Sequence, residues 1–315
     1  MSMEDMYLRD RLFSKKPMSK VCTAVHRHTR EVCILKSMRQ RGRPQDGDRY
    51  HAYTTLLQHG HPHIVKLYAV SIDTTNGREW LNVTMERLHG MTLECLLNLH
   101  DEHGVPEGDA KRVMREILMA IQHLHAHHII HRDIKPDNCV FATRDQQLKL
   151  LDFDLCTRPT VDLGEGELRV GTRPYMVAPE CFKDGLYSTK SDLWAAGVIL
   201  YAMLYDGWPH DVPDDAENDE AYDIIQEAAP KMFTYTTPRD VSPAAIDLAK
   251  QLLKLEPSER LSSAEAALGH PWFGEEVAAV SVESEGGEQP PPTATAAAPP
   301  AAAEEAPPSH TQTGT

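Results

Sequence analysis

No stretch of the 315-residue chain holds the roughly 18 to 20 consecutive apolar residues needed to cross a bilayer. Residues 1–10 also lack the apolar centre of a secretory leader. The chain is therefore expected in the cytoplasm or nucleus, with no membrane partner. Basic charge is scarce as well, with 32 Lys and Arg against 47 Asp and Glu, a formal net charge of -15. Nucleic acid and anionic membrane surfaces both reward concentrated Lys and Arg, so nucleic acid is not expected as a partner either. There is no C-x-x-C pair, and Cys22, Cys33, Cys95, Cys139, Cys156 and Cys181 are widely scattered. That spacing suggests neither a zinc site nor a disulfide framework, and the cysteines read as reduced, individually buried thiols. No internal repeat is found.

What the chain does have is a hydrophobic content of 41%, enough for a sizeable core. The sharpest boundary follows Phe273, where residues 274–315 are rich in Ala, Pro and Glu and contain no Lys or Arg. Such a segment cannot bury enough apolar surface to offset the entropy of ordering it, and it reads as a disordered acidic tail. Upstream, KVCTAVHR and EVCILKSM read as two strands around the turn-like HTR, residues 49–59 as a helix, and HPHIVKLYAVS with EWLNVTMER as two further strands. Beyond His89, MTLECLLNLH, DAKRVMREILMAIQHLHAHH, SDLWAAGVILYAML and SPAAIDLAKQLLKL repeat apolar residues at helical spacing. The expected class is α+β, a small sheet domain followed by a larger helical one, with a cleft between them suited to a small ligand.

Residues 131–138 read HRDIKPDN, followed by DFD at 152–154 and APE at 178–180. In this order and spacing the chain resembles the eukaryotic protein kinases of the serine/threonine type, over roughly residues 7–273. The resemblance implies a bilobal fold with an N-lobe over about 7–85, a hinge at 86–90 and a C-lobe over 91–273. It implies ATP and Mg2+ as cofactors, and transfer of a phosphoryl group to serine or threonine hydroxyls of protein substrates, by a monomer. Carried over by register, Asp133 would orient the acceptor hydroxyl and take its proton. Lys135 would lie beside the transferred phosphate, and Asn138 and Asp152 would hold magnesium, which prefers oxygen ligands. Lys36, ending CILK, resembles the strand lysine that grips the ATP phosphates, and Val21, fifteen residues earlier, resembles the valine of the glycine-rich loop. Met85 would be the gatekeeper, with Glu86 and Leu88 offering backbone groups to adenine. Asp192 of SDLWAAG resembles the anchor of the catalytic loop, and Glu180 with Arg260 a buried ion pair. The ending HPWF, with Trp272 and Phe273, is similar to that of calmodulin-dependent and checkpoint-type kinases.

Three departures bear on activity. The glycine-rich loop has Ser14, Lys16 and Ser19 where glycines would stand, so backbone amides should approach phosphate less closely, and Lys15 or Lys16 could supply charge instead. The helix position expected to supply a glutamate to Lys36 holds Ala52, leaving Asp48, one turn earlier, as the nearest carboxylate. Asp154 replaces the glycine of D-F-G, which should restrict the flip of Phe153. One extra residue between Gly171 and Ala178 alters the segment expected to contact substrate, and Glu165 or Glu167 is expected to stand in for a loop phosphate in ordering Arg132. The histidine-rich runs QHLHAHHIIH and HGHPH read as structural and not as metal sites. The acidic run at 211–223 reads as a solvated loop. Asp137 resembles an acidic position that receives basic side chains, with Ala202 where a second such acid would stand. Two other functions stay open here: a pseudokinase acting as a binding or scaffold module, and a small-molecule kinase on the same fold.

Overall fold

Val, Ile, Cys and Leu alternate with polar residues in the first third of the chain, and this period of two builds a sheet. The computed structural model describes residues 3–100, 103–142, 147–159 and 173–274. The expected tail beyond Gly274 lies outside the described residues, as do Thr160, Glu165, Glu167, Leu168, Gly171 and Thr172. Within the described part, β1 (Tyr7–Lys15), β2 (Ser19–His26), β3 (Val32–Arg39), β4 (Leu67–Thr75) and β5 (Arg78–Glu86) form one antiparallel sheet in the order β1-β2-β3-β5-β4. Val21 lies directly opposite Lys36 across β2 and β3, the register expected from their spacing. Asn76 and Gly77 join β4 to β5 at φ 51° and 67°, the left-handed pair that a two-residue hairpin turn demands. Strand β1 carries no apolar alternation, because after Tyr7 it is almost wholly exposed, and the sequence gives no sign of it.

The two faces of the sheet serve different cores. Cys33 and Leu35 join Met3, Tyr7, Cys22 and Ala24 in a small cluster under the short helix α1 (Met3–Met6). Met38, Leu81, Val83 and Met85 face the main core, together with Ala52, Tyr53 and Leu56 of helix α2 (Pro44–Gln58). Helix α2 begins five residues before the expected start. Pro44 supplies a preset φ in its first turn, and Asp46 accepts hydrogen bonds from the Arg43 and Arg41 amides at 3.1 and 2.6 Å.

Among the described residues eight further α-helices follow: α3 (Leu93–Leu99), α4 (Glu107–Ala126), α5 (Pro179–Asp184), α6 (Thr189–Tyr205), α7 (Asn218–Ala228), α8 (Pro243–Leu252), α9 (Ala264–Leu268) and α10 (Pro271–Gly274), with the two-stranded pair β6 (Cys139–Phe141) and β7 (Leu148–Leu150) between α4 and α5. Helix α4 buries Val113, Met114, Ile117, Ile121 and Leu124 along one stripe, whereas α6 is buried from Ser191 to Leu204 on all sides. Gly197 lets α6 approach α8, since a Cβ there would lie 2.8 Å from that of Leu252. Glycine is also required at Gly90, where a Cβ would fall 1.7 Å from the Phe141 carbonyl oxygen. This is the bilobal α+β architecture expected from the sequence, a small antiparallel sheet lobe followed by a larger helical lobe. The acidic run at 211–223 is only half loop: its second part opens α7, with Asp219, Glu220 and Asp223 exposed while Ala221 packs inward.

Candidate active site

The segment from His131 to Asn138 is held from below by a single carboxylate. Asp192, buried in the first turn of α6, accepts from the His131 amide at 2.9 Å and from the Arg132 amide at 3.0 Å, and meets His125 Nε2 at 2.8 Å. Burial alone would push its carboxyl up, but the His125 and amide hydrogen bonds outweigh this and hold it below the ordinary carboxylate range. His131, fully buried, spans to the next segment: its Nε2 lies 3.0 Å from the Leu151 carbonyl and its ring meets Phe153 edge-on at 5.1 Å. The Leu151 amide in turn donates to the Asn138 carbonyl at 2.9 Å. The HRDIKPDN and DFD segments are therefore stitched side by side.

On this base the structure brings Asp133, Lys135 and Asn138 into one hydrogen-bonded group. Lys135 Nζ lies 2.9 and 2.8 Å from the two Asp133 carboxylate oxygens. Asn138 Nδ2 donates to the Asp133 carbonyl at 2.8 Å and to Asp133 Oδ2 at 2.9 Å. With its nitrogen so committed, the Asn138 side chain presents its oxygen as the group left for a cation. Lys36 and Asp152 form a second group, 2.8 Å apart. Among the described residues no three His, Cys, Asp or Glu side chains are arranged to hold a metal by themselves. The oxygens of Asn138 and Asp152 fit magnesium held jointly by a protein amide, a carboxylate and nucleotide phosphates, the arrangement this ion favours.

Asp48, the nearest carboxylate on the helix, does not serve Lys36. Asp48, though buried on α2, points to the segment beyond DFD, where its oxygens take Arg158 Nε at 2.7 Å and the Thr157 hydroxyl at 2.9 Å. One helical turn carries a side chain about 5.4 Å along the axis, which places it level with Thr157 and not with β3. Lys36 pairs instead with Asp154, at 2.7 Å. The other oxygen of Asp154 accepts from the Tyr53 hydroxyl at 3.0 Å, and its carbonyl accepts from Arg49 Nε at 2.9 Å. Burial would lower the Lys36 pKa, but Asp154 and Asp152 together raise it above the usual lysine value. Burial and the adjacent Asp152 charge push Asp154 up, while Lys36 keeps Asp152 below the carboxylate range in spite of its own burial. Sequence reading treated Ala52 and Asp154 as two separate losses. Their joint occurrence, a carboxylate gone from the helix and one gained beside Phe153, was the signal.

The remaining candidates frame the cleft. Val21 is half-buried on β2, and Met85 on β5 is paired with Ile34 and Leu67. The Glu86 amide already donates to the Lys66 carbonyl at 2.9 Å, which leaves its carbonyl as the group on offer; its carboxylate takes the Lys66 amide and Lys149. Leu88 lies between the end of β5 and the start of α3. In the β1–β2 turn the Lys16 amide donates to the Ser19 carbonyl at 2.8 Å, closing a tight hairpin that the Arg39 amide fastens to β3 through the Met18 carbonyl at 2.9 Å. Lys16 itself is exposed. Asp137 and Glu94 face Arg173 of the same chain at 3.8 and 3.9 Å, and Ala202 is buried. Glu180 and Arg260 form a bidentate pair at 2.8 and 3.1 Å, with the Arg260 side chain fully buried. The histidine runs meet one another: His61 stacks on His123 at 4.8 Å, and His123 lies tilted against His127 at 4.4 Å.

Comparison with known proteins agrees with this geometry. Residues 17–273 match the protein kinase domain, and the chain belongs to the protein kinase family, whose members generally use ATP and magnesium. It is similar to Serine/threonine-protein kinase D3 of Mus musculus and of Homo sapiens, 34% identical to each over 255 residues, or 79% of this chain and 27% of theirs. It is also similar to Serine/threonine-protein kinase D2 of Rattus norvegicus, 36% identical over 220 residues, or 68% of this chain and 23% of that one. The chain thus spans about a quarter of the length of these curated relatives. No helix among the described residues is long and apolar enough to cross a membrane.

Proposed function

We propose that this chain transfers the terminal phosphoryl group of ATP, with Mg2+, to serine or threonine hydroxyls of proteins. The kinase domain would occupy residues 7–273, with the hinge at 86–90, where β5 ends and before α3 begins. The observation that carries the reading is the group of Asp133, Lys135 and Asn138, fixed beside the segment that bears Asp152, which pairs with Lys36 of β3. Phosphoryl transfer asks for positioning and charge neutralisation more than for covalent chemistry. Asp133, held by Lys135 and Asn138, orients the acceptor hydroxyl and takes its proton. Lys135 then faces the negative charge that develops on the moving group, and Lys36 grips the phosphates from the sheet side. Asn138 and Asp152 would hold magnesium, which would supply charge neutralisation for the phosphates. Val21 and Met85 line the adenine pocket, and Glu86 and Leu88 offer it backbone groups. The names of the relatives favour serine and threonine acceptors, and the protein is proposed to work as a monomer in cytoplasm or nucleus.

The test is magnesium-dependent ATP turnover on generic basic proteins, comparing the natural chain with Asp133→Ala. Loss of a general base lowers turnover by roughly 100- to 10,000-fold, with nucleotide affinity preserved. Equal signal from both proteins would leave a binding or scaffold module in its place.

A further inference from the structure

Active kinases pair the strand lysine with a glutamate carried on the helix of the sheet lobe. Here α2 presents Ala52 where the glutamate would stand, and both oxygens of Asp154 are engaged at the same junction, one on Lys36 and the other on Tyr53. We infer that Asp154 is a positioning residue that replaces the missing helix carboxylate, holding Lys36 in register for the nucleotide phosphates while α2 holds Asp154 in turn. The inference rests on the phosphoryl-transfer reading above for what Lys36 grips, but the pairing itself can be tested without it.

Three features carry the assignment. The contact to Lys36, at 2.7 Å, is as close as the one to Asp152, and the Lys36 side chain is only 12% exposed, so the pair sits where solvent screens it little. Asp152 has a second duty as a proposed metal ligand, whereas Asp154 has none, so Asp154 is the partner that remains when Asp152 turns toward a cation. The connection to α2 is also kept, with its parts exchanged. In the usual arrangement the helix supplies the charge and the segment after the metal-binding aspartate supplies a glycine. In this chain the segment supplies the charge, and the helix supplies two donors, the Tyr53 hydroxyl at 3.0 Å and Arg49 Nε at 2.9 Å. A glycine at 154 would keep the carbonyl that accepts from Arg49 but could make neither the Lys36 nor the Tyr53 contact.

A double-mutant cycle on the full chain, using Lys36→Met, Asp154→Asn and both together, tests this in two readouts. Asparagine keeps the size of the side chain and a partner for Tyr53 but removes the charge. For affinity measured with ATP, Asp154→Asn is expected to weaken binding about tenfold in the natural background and to have no further effect once Lys36 is gone. A structural role would instead weaken binding equally in both backgrounds, and that result would overturn the inference. In thermal unfolding, Asp154→Asn is expected to lower the Tm of the natural chain and to raise it in the Lys36→Met background, where Asp152 and Asp154 otherwise repel each other without a cation. The same drop in both backgrounds would sink the pairing. A chain that binds no ATP at all would count against the proposed function, while the thermal readout would still decide the role of Asp154. Tyr53→Phe, a milder change, is expected to loosen α2, seen as faster amide exchange across Pro44–Gln58, while leaving Lys36 paired; unchanged exchange would overturn the link to the helix.

Discussion

Asp192 and Asp48 are both buried carboxylates that fasten a wall of the same cleft, yet they hold different kinds of partner. Asp192 receives two backbone amides, so it fixes the course of the catalytic segment whatever side chains that segment carries. Asp48 receives a threonine hydroxyl and an arginine, so its hold on the segment after DFD depends on the residues found there. The helical wall is therefore fixed through main chain, and the α2 wall through side chains that can be exchanged. That difference accounts for where this chain departs from its family. Ala52 and Asp154 both lie on this side, where one side-chain contact can be replaced by another.

The largest effect follows from breaking the main-chain clamp. Asp192→Ala strands two buried amides and His125, and each buried group left without a partner costs about 1 to 3 kcal/mol, so a loss of roughly 4 kcal/mol or more in urea unfolding is expected. Asp48→Ala should cost about 1 to 2 kcal/mol, because its main partner, Arg158, has a side chain 55% exposed and regains water. Equal losses at the two sites would remove the distinction between the walls.

The helical wall was legible in the sequence and the α2 wall was not, for the same reason. Asp192, Glu180 and Arg260 match positions of the family pattern, so the resemblance to that family assigned their partners. Asp154 meets Lys36 across more than a hundred residues, and only the packing of α2 against both segments brings them together. The partner of Asp48 stayed open because position along a helix tells how high a carboxylate sits and not which neighbour it faces. Helix type was sound for α3, α4, α6 and α8, whose apolar stripes or runs leave no alternative, while the start of α2 depended on a proline and an aspartate cap outside the apolar pattern. Strand β1 escaped because exposure removes the alternation by which strands are recognised.

An effect smaller than that of Asp192→Ala comes from acid. Burial pulls His210, which lies over Trp194, down to about 4, and among the described residues neither of its ring nitrogens has a hydrogen-bond partner. Burial, with His123, His63 and Lys149 nearby, brings His61 down to about 4 as well. A histidine ordinarily near 6.5 binds more protons when unfolded throughout the interval between 4 and 6.5. Stability is therefore full above pH 6.5 and falls as pH drops toward 4, by roughly 2 to 3 kcal/mol for the deeply buried His210. Urea midpoints at pH 7 and pH 5 measure the slope, and His210→Phe, which keeps an aromatic ring over Trp194, should flatten it. An unchanged slope in that variant would assign the acid sensitivity elsewhere, with His61 as the next candidate. Because His210 packs in the helical lobe, this loss should leave the Asp48 contacts untouched, which the Asp48→Ala chain can check at the same two pH values.

The smallest effect concerns the β1–β2 turn. Without glycine the main chain there is committed to its own hairpin, closed by the Lys16 amide on the Ser19 carbonyl and tied to β3 through Met18. The Lys16 amide, engaged in this way, is a poor donor for phosphate, so any hold of Lys16 on a nucleotide has to come from its side-chain charge. Lys16 is exposed at the tip, and an exposed ammonium acting across water contributes about 1 kcal/mol or less. Lys16→Ala is accordingly expected to weaken ATP binding no more than about fivefold, and the loss should shrink as salt is raised, since screening weakens exposed charges first. A salt-independent loss would point to direct coordination by a buried lysine, and no loss at all would mean that this turn contributes only its shape, leaving Lys36 and its two carboxylates as the whole of the grip from the sheet side.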